Sequence, residues 1–402
     1  MKISQTRAEI GFTEFVALMA FVTCFVAMSI DLMLPALFQI GQDLGVQRDN
    51  DTQLIVSTIF IGVAIGHLIY GPLADVIGRK PSIYLGFAIF ILGTLISLFA
   101  VNMSMMLVGR LLQGLGAAGP RIVTIAIVRD KSHGSEMARV MSLIMTVFIL
   151  VPVIAPIIGQ GILLVSNWRM MFAFLFFAAV FILIWFALRL PESLPLDQRS
   201  QFSVKSIVSG CCEVVTNRVA MAYVIASGLG FGAFLGFLSS IQQILQDLYH
   251  LGAKFPLYFA VLATGIGVAS FINSKLVMRF GLRQLVMGTQ VATLIISIAV
   301  LISTYWLSPV PPLWFVMGYF LVVLMGIGLL FGNLNALSME PFGHIAGLAS
   351  GVIGGVSTLI AVVAGVVVGQ AFNGTLVPII VGFILLPGLS LLFTYWASRR
   401  AI

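Results

Sequence analysis

Two arginines inside one apolar stretch are the first candidates for chemistry in this chain. The stretch runs from Met103 to Asp130 and contains Arg110 and Arg121. A charge at the centre of a bilayer costs roughly 2.5–3.5 kcal/mol even on the more lenient insertion scale, so we expect both arginines to face a bundle interior or a water-filled cavity. Helical spacing places Gln113 and Arg121 near the direction of Arg110, which predicts one polar helix face. For Arg121, the alternative is a side chain that extends to the lipid headgroups.

Asp31 is the sharpest candidate for a proton switch. It lies near the outer third of the first apolar run, in VAMSIDLMLPAL. Asp31 and Arg110 are each about six residues from the predicted outer ends of their spans, which puts both at a depth of roughly 9 Å. In a membrane interior, desolvation and a nearby arginine compete over whether a carboxyl group holds a proton. We therefore predict that Asp31 and Arg110 pair and carry a proton; the alternative is a purely structural buried pair. Pro35 should loosen the helix beside Asp31.

The composition is that of a protein that crosses a membrane many times. Of 402 residues, 60% are hydrophobic and 9% are charged, whereas a soluble domain carries roughly 25% charged residues. The formal net charge is +7, but the basic residues are spread over short loops, which argues against nucleic acid as a partner. We find no HExxH motif, nucleophile elbow or Walker A string, and we predict neither an enzyme nor a metal site or cofactor.

Twelve apolar runs are long enough to span a bilayer. The even count puts both termini on one side. Most basic residues fall on that side, while Arg48, Arg169 and Lys254 fall on the other, so the positive-inside rule predicts that both termini are cytoplasmic. The predicted spans are 14–38, 53–74, 82–100, 104–127, 140–165, 170–190, 219–246, 255–277, 285–304, 312–337, 345–371 and 375–397.

The longest interruption between the spans runs from Pro191 to Arg218. It is polar, we expect it to be mobile, and it separates six spans from six. We therefore predict an all-α integral membrane protein with an N-terminal six-helix bundle at 1–190, a cytoplasmic linker at 191–218 and a C-terminal six-helix bundle at 219–402.

An internal repeat supports this division. The segment GPLADVIGRK at 71–80 aligns with SKLVMRFGLR at 274–283. At the same offset, Asp31 corresponds to Phe234. The second half has thus lost ionisable groups that the first half carries.

Charged residues after the second span predict a latch between helix ends at the cytoplasmic face. Asp75 and Arg79 belong to the loop segment GPLADVIGRK, and Asp130 lies at the end of the fourth span. Opposite charges at neighbouring helix ends can pair, and such pairs can break and re-form when the helices move.

Other polar residues fit either a ligand cavity or helix packing. In the first half, Gln113 and Arg121 are candidates to line a cavity. In the second half, Gln242 and Asn333 fit hydrogen bonding to a ligand and fit interhelical packing equally well. For His67, a packed and hydrogen-bonded side chain is the default, and a proton relay is the alternative.

Several segments resemble one family of transporters. GPLADVIGRK resembles the loop signature of the major facilitator superfamily, and GRLLQGLGAAG resembles its span-four motif, which carries over Arg110 and Gln113. VPVIAPIIGQ resembles the span-five antiporter motif through Pro156 and Gly159, although Ala155 stands where a glycine is usual. DLMLPAL, IAIVRD, NWRMMF and LPESL further resemble the Bcr/CflA branch of twelve-span drug:proton antiporters.

This resemblance implies two six-helix bundles around a central cavity, alternating access, and a proton site at Asp31. It also implies a monomer in the inner (plasma) membrane that handles a small-molecule substrate and protons, with the proton gradient in place of a cofactor. The expected function is proton-coupled efflux of drugs or small amphipathic compounds. The alternative is a specific transporter, or an importer, of an anionic metabolite or siderophore, because Arg110 and Arg121 together make the cavity cationic.

Overall fold

The computed structural model describes residues 10–199, 203–306 and 310–400, and the regular structure in these ranges is helical, without strands. The predicted all-α fold is confirmed. The α-helices in chain order are α1 (Phe12–Asp31), α2 (Leu37–Asp43), α3 (Leu54–Ile77), α4 (Arg79–Leu98), α5 (Met103–Lys131), α6 (Gly134–Val165), α7 (Arg169–Arg189), α8 (Val204–Thr216), α9 (Arg218–Gln242), α10 (Phe255–Phe280), α11 (Leu282–Trp306), α12 (Leu313–Met339), α13 (Ala346–Gln370) and α14 (Val377–Arg400).

All of these helices except α2 and α8 have 20 residues or more and are apolar. In the described part of the chain, length and composition mark 11 stretches that could cross a membrane, and one of them, Leu313–Gln370, is 58 residues long. This stretch is two spans, because the segment Glu340–Ile345 joins α12 to α13 through a non-helical residue, Phe342. The predicted twelve spans are therefore present. Helices suit this setting because each one satisfies its own backbone hydrogen bonds.

Successive long helices run in alternate directions between two faces. We call the face that holds residues 10 and 400 the proximal face, and the opposite one, where α2 leads into α3, the distal face. By the positive-inside prediction, the proximal face is cytoplasmic.

Helix α1 is interrupted directly after the predicted proton site. It ends at Asp31, and a 3₁₀ turn at Leu34–Ala36 follows, with Pro35 near its start. Helix α2 then completes the crossing. Proline lacks a backbone N–H and disfavours a continuous helix, so the expected loosening beside Asp31 is confirmed.

Glycines allow the backbones of α3 and α5 to touch. A Cβ atom on Gly62 would lie 2.6 Å from the backbone nitrogen of Leu115, and one on Gly114 would lie 3.0 Å from that of Val63. Neither site has room for a side chain. The spacing of small residues thus reflects close helix packing, as it does at interfaces between helices in membranes.

The segment predicted to be a mobile linker contains a helix. Ser203 caps α8 by accepting a hydrogen bond from the backbone of Ser206 at 3.2 Å. Glu213 on α8 pairs with His344 at 2.8 Å, and Gly210 packs against Leu348 of α13. Residues 200–202 of the predicted linker lie outside the described residues. The linker is therefore helical and packed at α8, while its mobility and the bundle boundaries at 190 and 218 stay predictions.

Candidate functional site

Arg110 is a buried hub within the first half of the chain. Its Nε donates to the carbonyl of Ile55 on α3 at 3.1 Å, and its Nη1 donates to the carbonyl of Ser29 on α1 at 2.9 Å and to Gln113 Oε1 at 2.9 Å. The side chain is fully buried, and among the described residues Nη2 has no hydrogen-bond partner. Hydrogen bonds to carbonyl oxygens offset part of the cost of a charge in the membrane.

The break in α1 explains why the Ser29 carbonyl is free to accept this bond. In a continuous helix, the N–H of Met33 would donate to Ser29, four residues earlier. Here the N–H of Met33 donates to Ile30 instead. Arg110 thus binds the acceptor that the break exposes.

Asp31 does not pair with Arg110. Asp31 is only 5% exposed, and within the described ranges no ion pair includes it. The predicted pair is wrong for this conformation: Arg110 Nε and Nη1 donate to backbone carbonyls and Gln113, and Nη2 makes no hydrogen bond with Asp31. Asp31 is left as a buried carboxyl group at the broken end of α1.

Gln113 is fully buried and does not line a cavity. Its Nε2 donates to Thr94 Oγ1 on α4 at 2.8 Å, while its Oε1 accepts from Arg110. Both ends of the Gln113 amide bind side chains of α4 and α5 in this conformation, and a contact between Gln113 and substrate stays a prediction.

The three residues of the predicted latch come together at the proximal face. Arg79 Nη1 lies 2.5 Å from Asp75 Oδ1, and Arg79 Nε lies 3.0 Å from Asp130 Oδ2. Gly78 makes the turn between α3 and α4 with φ of 105°, a conformation that glycine adopts readily. These contacts join the ends of α3, α4 and α5.

Sequence reasoning missed Glu192, which completes this cluster. Its carboxylate accepts hydrogen bonds from the backbone N–H groups of Arg79 and Lys80 at 3.0 and 3.1 Å, at the start of α4. Ser193 donates to Asp130 at 3.1 Å. A carboxylate is favoured at a helix N-terminus, but no local pattern pairs Glu192 with a helix that starts more than a hundred residues earlier.

Arg121 lies inside the bundle. Its guanidinium is 5.5 Å from the centre of the Phe148 ring on α6, and it interacts electrostatically with His67 on α3. At 1.5 Å per residue it lies about 15 Å from the proximal end of α5. The alternative that Arg121 extends to headgroups therefore does not describe this conformation.

Two candidates from the second half make contacts within that half. Asn333 and Asn273 exchange hydrogen bonds of 3.1 and 2.8 Å, which link α12 to α10. Gln242 is buried and donates to Gln246 at 2.5 Å. Of the two readings left open for Asn333, interhelical packing is the one seen here. Gln242 also lines a small pocket at the distal face, together with Asp49 and Asp247.

Helix α6 carries the two residues of the span-five motif. Pro156 and Gly159 are both buried inside one continuous helix. A Cβ atom on Gly159 would collide with the carbonyl oxygen of Leu32. Gly159 therefore lets α6 touch the chain at the break beside Asp31.

Four amide side chains join the two halves at the distal face, and the sequence analysis did not single them out as a group. Gln243 donates to Asn50 Oδ1 at 3.0 Å and accepts from Gln53 Nε2 at 2.5 Å. Asn50 Nδ2 donates to the carbonyls of Gln370 and Phe372 at 3.1 and 2.8 Å, and Gln370 Nε2 donates to the Asn50 carbonyl at 2.7 Å. We call Asn50, Gln53, Gln243 and Gln370 the distal amide network. It closes this face in the present conformation.

Comparison with known proteins identifies the class to which this fold and these sites belong. The model of the Major Facilitator Superfamily matches residues 19–366. The chain therefore belongs to the major facilitator superfamily and is a multi-pass membrane transporter, not an enzyme.

Two relatives carry names that refer to resistance. The chain is 27% identical over 329 residues to the multidrug resistance protein MdtL of Vibrio parahaemolyticus, with 81% of each chain covered. It is 25% identical over 382 residues to the bicyclomycin resistance protein homolog of Haemophilus influenzae, with 92% of each covered. Among solved structures, the peptide transporter POT in complex with sulfate has a TM-score of 0.74 at 14% identity, with 97% of this chain and 95% of that one covered; this similarity concerns the fold alone.

Proposed function

We propose that this protein exports small amphipathic compounds by alternating access and that protons flowing the other way drive the export. The names of the two resistance relatives support a drug-like substrate. The observation that carries the proton coupling is Asp31, a buried carboxyl group without an ion pair at the break in α1. Such a group can gain or lose a proton without first breaking a salt bridge.

The closed distal face supports alternating access. The distal amide network bonds the first half to the second through uncharged groups. Hydrogen bonds between neutral groups contribute about 0.5–1.5 kcal/mol each, so a modest change elsewhere can open this face. We propose that the two halves then move relative to each other and expose the interior to each side of the membrane in turn.

The test is transport by purified protein in proteoliposomes with an imposed pH gradient. We expect uphill movement of a phenicol-like or bicyclomycin-like compound that stops when the gradient is collapsed. Asp31→Asn should abolish the uphill movement, and Asp197→Asn, which changes an exposed aspartate outside the long helices, is the matched control. Equal flux with and without the gradient would refute proton coupling.

We also infer that both termini face the cytoplasm and that the protein works as a monomer in the plasma membrane. Basic residues near helix ends on the proximal face, such as Arg129, Arg139 and Arg400, support this orientation. Labelling of single cysteines with a membrane-impermeant maleimide in intact cells checks it: a cysteine at Gln47 on the distal face should react, and one at Arg400 should not.

A second candidate function is transport of a specific anionic metabolite. It is favoured by the position of Arg121 inside the bundle. Loss or accumulation of one metabolite in cells that lack the protein, without a change in drug susceptibility, would favour this second function.

A further inference from the structure

We propose that Arg121 and His67 form a binding site for an oxyanion, a carboxylate or phosphate group, on the transported compound. This site lies where α3 and α5 meet α6 and α13. The inference rests on the proposed transport function, and it adds the chemical class of the group that is recognised.

Arg121 differs from the buried or paired arginines Arg79, Arg110 and Arg189 in what surrounds its charge. Arg79 pairs with Asp75, Arg189 pairs with Glu14 at 2.6 Å, and Arg110 donates to carbonyl groups. Within residues 10–199, 203–306 and 310–400, Arg121 has neither an ion pair nor a hydrogen bond, and its described contact is the Phe148 ring at 5.5 Å. A cation–π contact contributes about 0.5–2 kcal/mol, which is less than the cost of a charge at this depth.

The Nε2 atom of His67 is a second polar atom without a partner at the same site. This atom is buried and has no hydrogen bond to any described residue, whereas the imidazole has a backbone hydrogen bond to Gly354. The ring touches the backbone of α13, since a Cβ atom on Gly354 would lie 2.5 Å from Nδ1. Leaving a buried polar atom unpaired costs about 1–3 kcal/mol, so an occupant that bonds to Nε2 would be stabilised. When both ring nitrogens carry a proton, which a nearby anion favours, the imidazole donates to an oxyanion through Nε2.

Arg121 and His67 lie at the same depth below the proximal face, and the charge of Arg121 acts on His67. Each is ten residues from the proximal end of its helix, or about 15 Å at 1.5 Å per residue, and Arg121 is close enough for its charge to oppose a positive charge on His67. The planar fork of arginine suits the two oxygens of a carboxylate or phosphate. An oxyanion held here would touch the first half through α3 and α5 and the second half through α13.

Two glycines of α13 leave room for His67 at the contact between the two halves of the molecule. A Cβ atom on Gly351 would lie 2.6 Å from the carbonyl oxygen of His67, and one on Gly354 would meet the imidazole ring. Gly354→Ala would therefore displace the imidazole without touching Arg121. Gly288 on α11 has open space around it, so Gly288→Ala is the matched control.

The experiment measures binding to purified protein in lipid nanodiscs by isothermal calorimetry. The probes are 1-naphthaleneacetate, 1-naphthaleneacetamide and trimethyl(1-naphthylmethyl)ammonium, which share one ring system and differ in charge. We expect the wild type to bind the carboxylate at least about tenfold more tightly than the amide, as a charge-assisted hydrogen bond implies. The cation should bind more weakly than the amide.

Variants separate the role of the site from general damage. Arg121→Ala should abolish the preference for the carboxylate, and Arg121→Lys should restore it only in part. Arg129→Ala, which removes an exposed arginine from the same helix, should leave it unchanged. His67→Leu and Gly354→Ala should weaken carboxylate binding at least about threefold while amide binding stays the same.

Three results would overturn the proposal: no carboxylate binding by the wild type, equal binding of carboxylate and amide, or a preference that survives Arg121→Ala. These results leave the proposed export function standing if proteoliposomes still move a neutral phenicol-like compound. Conversely, absence of transport for every compound, with charge-selective binding intact, would refute the export function and leave the site in place.

Discussion

Replacement of Asn50 by alanine should weaken the closure of the distal face. The Asn50 side chain takes part in three hydrogen bonds with the second half: it donates to the carbonyls of Gln370 and Phe372 and accepts from Gln243. Asn50→Ala removes all three and leaves the hydrogen bond that the Gln370 side-chain Nε2 donates to the backbone carbonyl of residue 50.

The size of the effect follows from the number of bonds and the exposure of their partners. At about 0.5–1.5 kcal/mol for each net hydrogen bond, three bonds contribute about 1.5–4.5 kcal/mol. The partners are only partly buried and form hydrogen bonds with water when the face opens. We therefore expect Asn50→Ala to destabilise the closed face by about 2 kcal/mol. This value corresponds to a roughly thirty-fold increase in the ratio of open to closed distal faces.

The assay is the labelling rate of a cysteine placed behind the network. Ser239 on α9 is 2% exposed, and its Cβ lies near the backbone of Gly369, where Gln53 also packs. In a background without Cys24, Cys211 and Cys212, Ser239→Cys should react with an impermeant maleimide at a rate proportional to the open fraction. Asn50→Ala should raise this rate about thirty-fold, as derived above.

The matched control is Asn167→Ala. Asn167 is an exposed asparagine on the distal face that bonds to the backbone of Arg169, within the first half. This change should leave the labelling rate of the Ser239 cysteine unaltered. An unchanged rate in Asn50→Ala would show that the distal amide network does not hold this face closed, and an equal increase in both variants would point to general loosening.

Three further perturbations test other parts of the structure. Asp31→Asn should abolish gradient-driven accumulation in proteoliposomes, where 100 mV acting on one proton supplies about 2.3 kcal/mol. Uphill flux at the normal rate would show that the coupled proton binds at another residue. Asp75→Asn removes one partner of Arg79. Turnover, measured by flux, should therefore slow by a larger factor than substrate affinity falls, as measured by equilibrium binding. Normal turnover with poor affinity would contradict the role of Asp75 and Arg79 as a latch. Gly114→Val should lower the thermal unfolding midpoint in detergent, since overpacking costs about 1–3 kcal/mol, whereas Gly288→Val, with open space around it, should not.

Much of the fold could be predicted because membrane crossing imposes simple rules on the sequence. Apolar runs of spanning length gave the twelve long helices, and Pro35 marked the interruption after Asp31. The cluster of Asp75, Arg79 and Asp130 could be predicted from opposite charges near neighbouring helix ends. In each case the decisive interaction is with the bilayer or between residues at adjoining helix ends.

The partners of Arg110 could not be predicted, because backbone carbonyls do not show in a list of side chains. A carboxyl group at a similar depth, Asp31, was the obvious partner, yet the break in α1 freed the Ser29 carbonyl for this role. The distal amide network could not be predicted for a related reason. Asn50 and Gln370 are far apart in the chain, and single amides near span ends occur in many loops without any such contact.

The break in α1 connects the predicted proton site to two other helices. On one side of Asp31, the Ser29 carbonyl accepts a hydrogen bond from Arg110 of α5; on the other, the Leu32 carbonyl lies against Gly159 of α6. Both acceptors belong to the backbone that changes from α-helix to 3₁₀ turn around Asp31. A shift in this backbone when Asp31 gains or loses a proton would therefore act on α5 and α6 together. Because Arg110 also holds Ile55 of α3, and α3 carries His67 to its contact with α13, a chain of direct contacts runs from the proton site to the second half of the molecule.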